Sequence, residues 1–306
     1  MANFYDTMHR WWIYQKERFP LAVNGPLVAV FSLGALYHSA LLRDATTLPG
    51  WKSALAAFGL ALGFFLLLRI ADEFKDAEKD AKYRPYRPVP RGLVSLRELG
   101  VLGTGTAILQ LGLALWLDPQ IVIVLVGAWI YFGLMSAEFF AGDGLEERLG
   151  LYTASHMVIL PLIALVATAC YWSVAGAAPP GALAWFLGVS YANGLVLEIG
   201  RKIRAPEDEE EGVRTYSKQW GRPCAVAAWG GALAAAGGLS VAAAVQVGAG
   251  MWTAIILGGI LVATAIVAGR FLRDPTSDRA APLELCAGVW LLASYGCMGL
   301  LPLAVS

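Results

Sequence analysis

Asp72, Asp76 and Asp80 recur at every fourth residue in the string Arg69-Ile70-Ala71-Asp72-Glu73-Phe74-Lys75-Asp76-Ala77-Glu78-Lys79-Asp80. On an α-helix this spacing puts three carboxylates on one face, where like charges repel. A cation held between them relieves that repulsion. Oxygen donors suit Mg²⁺, which takes one or two carboxylates, keeps some waters and bridges to substrate phosphates. Taken without its neighbours, the string is equally a solvated charged helix in which Lys75 and Lys79 pair with the acids.

Two neighbouring stretches add weight to the cation. Directly downstream runs Lys82-Tyr83-Arg84-Pro85-Tyr86-Arg87-Pro88-Val89-Pro90-Arg91-Gly92, a proline-stiffened loop carrying Lys82, Arg84, Arg87 and Arg91. Guanidinium groups there suit bidentate contacts to diphosphate oxygens, or else they mark a positive loop beside a membrane. The second stretch, Glu198 to Ser217, again mixes acids and bases: Glu198, Arg201, Lys202, Arg204, the acidic run Glu207 to Glu211, and Arg214. Glu198 closes an apolar run, a position where an ionisable group is by default a functional candidate. The five-acid run reads mainly as a solvated turn.

The elements that hold these stretches are membrane helices. The chain has 306 residues, 58% hydrophobic and 15% charged, with a mean hydropathy of +0.59. Ordinary soluble domains carry about a quarter charged residues, so a soluble globule is excluded. A net charge of zero without a basic stripe excludes nucleic acid as a partner. Cys170, Cys224, Cys286 and Cys297 lie far apart in apolar runs and read as small core residues.

Runs long enough for a bilayer core fall at 20–42, 52–71, 97–117, 119–137, 152–174, 181–200, 223–247, 251–271 and 281–303. The expectation is therefore an all-α polytopic protein of nine spans. Thr47-Leu48-Pro49-Gly50, Asp118-Pro119 and Pro179-Pro180-Gly181 predict tight turns between spans.

With the N-terminus inside, all but Arg43 and Lys52 of the 23 basic residues fall on the inner side, and only Asp44 and Asp118 of the acids fall outside. This predicts a cytoplasmic segment 1–19, a cytoplasm-facing site and an outer C-terminus. The charged loops follow spans 2 and 6, four helices apart, which suggests a loose duplication.

Together these residues resemble the UbiA superfamily of intramembrane aromatic prenyltransferases. The likeness covers the whole chain, 1–306, as one domain, with the first acidic motif and its loop at 72–96 and the second at 198–222. Asp-x-x-x-Asp-x-x-x-Asp followed by Tyr86-Arg87-Pro88-Val89-Pro90-Arg91-Gly92-Leu93-Val94-Ser95 looks like the family's first motif and its Arg-Pro-x-x-x-Gly loop. Asp76 and Asp80 match that motif's two aspartates, and Asp72 stands where Asn is usual. Asp208 matches the second aspartate of the second motif, and Gly212-Val213-Arg214-Thr215-Tyr216 resembles its end. Arg204 stands where the first aspartate is usual, with Glu198 or Glu207 as substitutes. The loop after span 4, with Glu138, Asp143, Glu146 and Glu147, lacks the family's lysine-containing pattern.

What the resemblance implies is Mg²⁺-dependent transfer of a prenyl group from a prenyl diphosphate to an aromatic, quinone-precursor or lipid acceptor inside the bilayer. The metal ligands and catalytic acids it implies are Asp72, Asp76, Asp80, Glu198 and Asp208. The diphosphate would be held by Lys82, Arg87, Arg91, Arg201, Lys202 and Arg204. Tyr131, Tyr152, His156 and Tyr191 are candidate liners whose ring faces could stabilise an allylic cation. Two alternatives stay open at this point: cyclisation of the prenyl diphosphate without an acceptor, and a transporter for an anionic or lipid substrate.

Overall fold

A computed structural model describes residues 4–43, 48–141, 144 and 148–305. Asp44, Asp143, Glu146 and Glu147 lie outside the described residues. The helices are α1 (Phe4–Arg18), α2 (Leu21–Leu41), α3 (Trp51–Lys75), α4 (Ala77–Tyr83), α5 (Leu96–Leu117), α6 (Ile121–Ser136), α7 (Leu149–His156), α8 (Ile159–Trp172), α9 (Leu183–Gly200), α10 (Tyr216–Trp220), α11 (Arg222–Val245), α12 (Gly250–Arg273), α13 (Ser277–Gly299) and α14 (Pro302–Val305). The protein is all-α and polytopic. Among the described residues eight helices are long and apolar enough to cross a membrane, with α7 and α8 together counting as one.

The fourth expected span, 119–137, is the exception. Helix α6 has 16 residues, about 24 Å at 1.5 Å per residue. It stops because Glu138, Phe139 and Phe140 all take left-handed backbone angles, with φ of 49°, 53° and 58°. The expected span 152–174 starts earlier, at Leu149, and breaks at Met157–Val158. Pro161 explains the break: lacking an N–H, it leaves the Met157 carbonyl to a tighter bond from Leu160 N at 3.2 Å.

The long helices pack in chain order into a closed ring, α2–α3–α5–α6–α8–α9–α11–α12–α13, with α13 returning to α2. Helix α8 also packs on α2 and α3 across the middle. In a bilayer close packing rather than water exclusion holds helices together, and small residues permit it. A Cβ on Gly34 of α2 would lie 2.8 Å from the Tyr295 carbonyl oxygen of α13, so this seam closes only with glycine.

Buried polar groups tie neighbours at membrane depth. Gln110 of α5 donates to Leu60 O of α3 at 2.8 Å and accepts from Trp129 Nε1 of α6 at 3.0 Å. Asn193 of α9 accepts from Trp290 Nε1 at 3.1 Å and donates to Ser294 Oγ at 3.1 Å. Of the cysteines, Cys170 and Cys297 are buried as expected. Cys286 is half-buried and Cys224 is exposed, because Cys224 opens α11 next to a connecting loop.

Candidate active site

The three aspartates remain in register although the helix is jointed between them. Helix α3 ends at Lys75 and α4 begins at Ala77, but Asp76 N donates to Asp72 O at 2.9 Å and Asp80 N to Asp76 O at 2.7 Å. The i→i−4 ladder thus runs through the joint and keeps one carboxylate face. Asp72 is half exposed and pairs with Arg69 at 3.5 Å. Asp76 is half-buried. Burial first, then the neighbouring charges of Asp72 and Asp80, push its pKa above the usual carboxylate range. Asp80 is buried, with Arg87 Nη1 at 2.7 Å from Oδ2 and Arg84 Nη1 at 3.3 Å from Oδ1.

Lys75 does not pair with this face. It forms an ion pair with Glu138, donates to the Tyr152 hydroxyl at 2.8 Å and lies 4.7 Å above the Tyr152 ring. This contact draws α3, the turn after α6 and α7 together.

The loop after α4 is folded by its prolines and by five turn bonds, among them Leu93 N to Pro88 O at 2.9 Å. It ends in a capping box that starts α5: Glu98 N donates to Ser95 Oγ at 3.2 Å, and Ser95 N to Glu98 Oε2 at 2.8 Å. Helix α1 docks on it. Arg10 reaches Leu93 O and Glu98 at 2.9 Å each, Glu17 pairs with Arg91 at 2.9 Å, and Arg18 pairs with the buried Glu73. Arg91 is therefore engaged by α1, while exposed Lys82 extends over the Tyr83 ring at 4.8 Å.

The second loop follows α9. Buried Glu198 accepts from Arg201 Nε at 2.8 Å and pairs with Lys202 at 2.6 Å. The charge of Glu198, and beyond it that of Asp72, raises the pKa of Arg201. Ends of α3 and α9 thus share one electrostatic neighbourhood.

The acidic run divides its work. Glu207 accepts from Ser277 N at 2.8 Å and Asp208 from Ser277 Oγ at 2.7 Å, which fastens the loop to the start of α13. Glu209 accepts from Thr215 Oγ1 at 2.6 Å and Ser217 Oγ at 2.7 Å, which closes the loop on itself. Glu210 takes Arg204 at 3.2 Å and approaches Arg84 of the first loop at 3.8 Å. Gly212, with φ of 74°, lies flat on Tyr83, where a Cβ would come within 2.5 Å of the ring.

The structure therefore brings the two charged loops together at one end of the ring. Arg84, Glu138, Glu209 and Glu210 organise this end. From the sequence Arg84 is one of the loop guanidinium groups suited to diphosphate oxygens or to a positive loop, Glu138 lies in a loop of open function, and Glu209 and Glu210 fall in a solvated turn. No three His, Cys, Asp or Glu side chains among the described residues converge as a ready metal cage. Glu198 and Asp208, expected beside the aspartates of the first motif, are engaged by Arg201 and Lys202 and by Ser277. Tyr131 and Tyr191 donate to Ser155 O at 2.6 Å and Ala154 O at 3.2 Å, so both hydroxyls brace the break between α7 and α8.

A model of the UbiA prenyltransferase family matches residues 28–292. Three solved structures are similar in fold. The apo UbiA homolog from Aeropyrum pernix K1 aligns with TM-score 0.66 at 16% identity, over 87% of this chain and 96% of that one. A digeranylgeranylglyceryl phosphate synthase gives 0.55 at 15%, over 95% and 97%. The UbiA homolog from Archaeoglobus fulgidus bound to DMAPP and Mg²⁺ gives 0.50 at 15%, over 92% and 99%. No curated protein sequence matches the chain.

Proposed function

The chain belongs to the UbiA prenyltransferase family, and from this premise we propose that it transfers a prenyl group from a prenyl diphosphate to a hydrophobic acceptor within the bilayer, with Mg²⁺ as cofactor. The observation that carries the reading is the meeting of the two charged loops around the Asp72–Asp76–Asp80 face. The homolog that binds DMAPP and Mg²⁺ supports it.

The residues fit a hard divalent cation. Their donors are all oxygens, and burial followed by the charges of Asp72 and Asp80 opposes the ionisation of Asp76, a cost that a bound cation would relieve. Asp72, Asp76 and Asp80 would hold the ion, and when bound it would neutralise charge on the diphosphate.

The remaining steps fall to the chain itself. Glu198 holds Arg201 and Lys202 at the end of α9, with Arg201 within the field of Asp72, and their cationic groups would take the outer diphosphate oxygens. Arg84 and Arg87, held by Asp80, border the same face from the other loop. Lys82 and Arg204 stand at its rim, and Arg91 ties the first loop to α1. As the leaving group departs, positive charge develops on the prenyl carbon. Phe139 and Tyr131 are the rings placed to meet it, and the surrounding helices exclude water. The cytoplasm-facing placement of the site is part of this proposal.

The test is to incubate purified protein with Mg²⁺, prenyl diphosphates of several lengths and phenolic, quinone-precursor or lipid acceptors, and to identify products by mass. Prenylated acceptor is the expected product. Consumption of donor without acceptor would point to cyclisation instead, and no consumption of any donor would overturn the proposal.

A further inference from the structure

His156 is the last residue of α7, 8% exposed, with its ring stacked on Tyr152 at 3.8 Å and 23°. Its Nδ1 lies 2.8 Å from the Tyr152 carbonyl oxygen. A carbonyl only accepts, so Nδ1 carries the proton and Nε2 carries the lone pair. That Nε2 is buried and has no donor among the described residues. Buried acceptors are normally satisfied, so an unpartnered one marks a place for a group the protein itself does not supply.

The surroundings say which group. Phe139 meets the imidazole edge-on at 6.0 Å and Tyr131 meets Phe139 at 5.6 Å, so the imidazole lies in a cluster of aromatic rings. Phe139 lies in the left-handed turn Glu138–Phe140, fastened by the Lys75–Glu138 pair. The charged groups that face the imidazole are Lys75 from α3, Glu138 from that turn, and Glu198 and Lys202 from the end of α9. Glu198 and Lys202 belong to the region proposed for the diphosphate. His156 therefore sits between a cluster of aromatic rings and the place where a leaving group would depart.

We propose that His156 is a catalytic base for a hydroxyl-bearing acceptor. This rests on the prenyl-transfer reading above and names the acceptor's chemistry. The acceptor O–H donates to Nε2. As the bond between the prenyl C1 and the diphosphate oxygen breaks, its electron pair leaves on the diphosphate. The acceptor's nucleophilic atom bonds to C1 and the hydroxyl proton ends on Nε2; where that atom is a ring carbon conjugated with the hydroxyl rather than the oxygen itself, the dienone so formed regains its aromatic ring by moving its ring proton to the oxygen. The imidazolium so formed keeps its Nδ1–H on Tyr152 O and returns the proton to solvent after release. An acceptor with no hydroxyl gives Nε2 nothing to take.

Two variants and the wild type test this. His156→Asn keeps a donor toward Tyr152 O and removes the Nε2 base, and His156→Gln places an amide near Nε2. Mg²⁺-dependent binding of the prenyl diphosphate and thermal stability are measured beside single-turnover transfer across pH. Both variants should bind donor within about three-fold of wild type and transfer about 100-fold or more slowly. The wild-type rate should fall toward acid pH as the imidazole takes up its proton, and that limb should vanish in the variants. Variants that transfer at the wild-type rate, or that keep the wild-type acid limb, overturn the role of His156 while leaving prenyl transfer standing. A wild type that binds no prenyl diphosphate and prenylates no acceptor overturns the transfer reading itself.

Discussion

Asp76 shows how a single side chain separates a metal site from a decorated helix. Burial and two flanking carboxylates oppose its ionisation, and Lys75, the basic residue beside it, is committed to Glu138 and Tyr152 instead. Removing the charge therefore relieves repulsion in the empty protein. Were Asp76 merely half of a surface pair, its loss would change stability by about 0.3–0.5 kcal/mol and leave chemistry alone. As a ligand it contributes charge stabilisation that the reaction uses. We expect Asp76→Asn to lower turnover about 100-fold or more, the equivalent of ~2.7 kcal/mol, with thermal stability unchanged or raised. Diphosphate release measured against Mg²⁺ concentration, alongside a melting curve, checks it. Wild-type turnover with wild-type Mg²⁺ dependence would end the metal reading of this residue. A second expectation concerns Glu209, whose carboxylate holds Thr215 and Ser217. Glu209→Ala removes two charge-assisted bonds, each worth ~1.5–3 kcal/mol before screening in this half-buried loop. It should expose residues 206–215 to limited proteolysis before any helix melts; cleavage at the wild-type rate would show that other contacts hold the loop.

Two elements, α4 with its following loop and the loop after α9, meet at the proposed site, and Gly212 lies against Tyr83 of α4 there. Gly212→Ala should both strain a left-handed backbone, at ~1–2 kcal/mol, and push Tyr83 aside. Gly248 has a similar φ of 76° but open space around it, so Gly248→Ala carries the strain alone. The pair isolates the docking term: turnover should fall about ten-fold or more for Gly212→Ala, ~1.4 kcal/mol of lost stabilisation, and stay near wild type for Gly248→Ala. Equal activity in the two variants would show that loop contact is dispensable. How far these elements were legible beforehand follows from the range of the forces involved. Apolar runs reveal membrane helices because length and hydropathy are local, and eight expected spans reappear within a few residues. The fourfold spacing of aspartates is also local, and it survives the joint at Asp76. The end of α6 at Ser136 lies within one residue of the expected span's end, whereas the contact of Glu138 with Lys75, from a helix far back in the chain, is signalled by no neighbouring residue. The run Glu207 to Glu211 looks uniform in sequence. Its members differ only in which distant partner each reaches: Ser277, Thr215 or Arg84.

At the scale of the whole molecule the ring and the contact between loops constrain how the chain crosses the bilayer. Arg84 and Glu210 approach to 3.8 Å, so the loops that carry them lie at the same end. Between those loops run α5, α6, the α7–α8 pair and α9. An even number of crossings returns the chain to the same end, so α6 must count as one despite its 16 residues. At about 24 Å it is short for a hydrocarbon core of about 30 Å, a mismatch met by local thinning or by the residues that flank the helix. For the direction of the whole we propose what charge favours: the end with both loops holds nearly all Lys and Arg, and short loops rich in them stay cytoplasmic. With the four native cysteines replaced, single cysteines at Lys82, Lys218, Leu48 and Ala304 report this arrangement. An impermeant maleimide added to intact cells should label the Leu48 and Ala304 positions and spare Lys82 and Lys218 until the membrane is opened. Labelling of Lys218 but not Lys82 would mean that α6 fails to cross. Labelling of both, with Leu48 protected, would mean that the bundle is inverted and its charged end faces out.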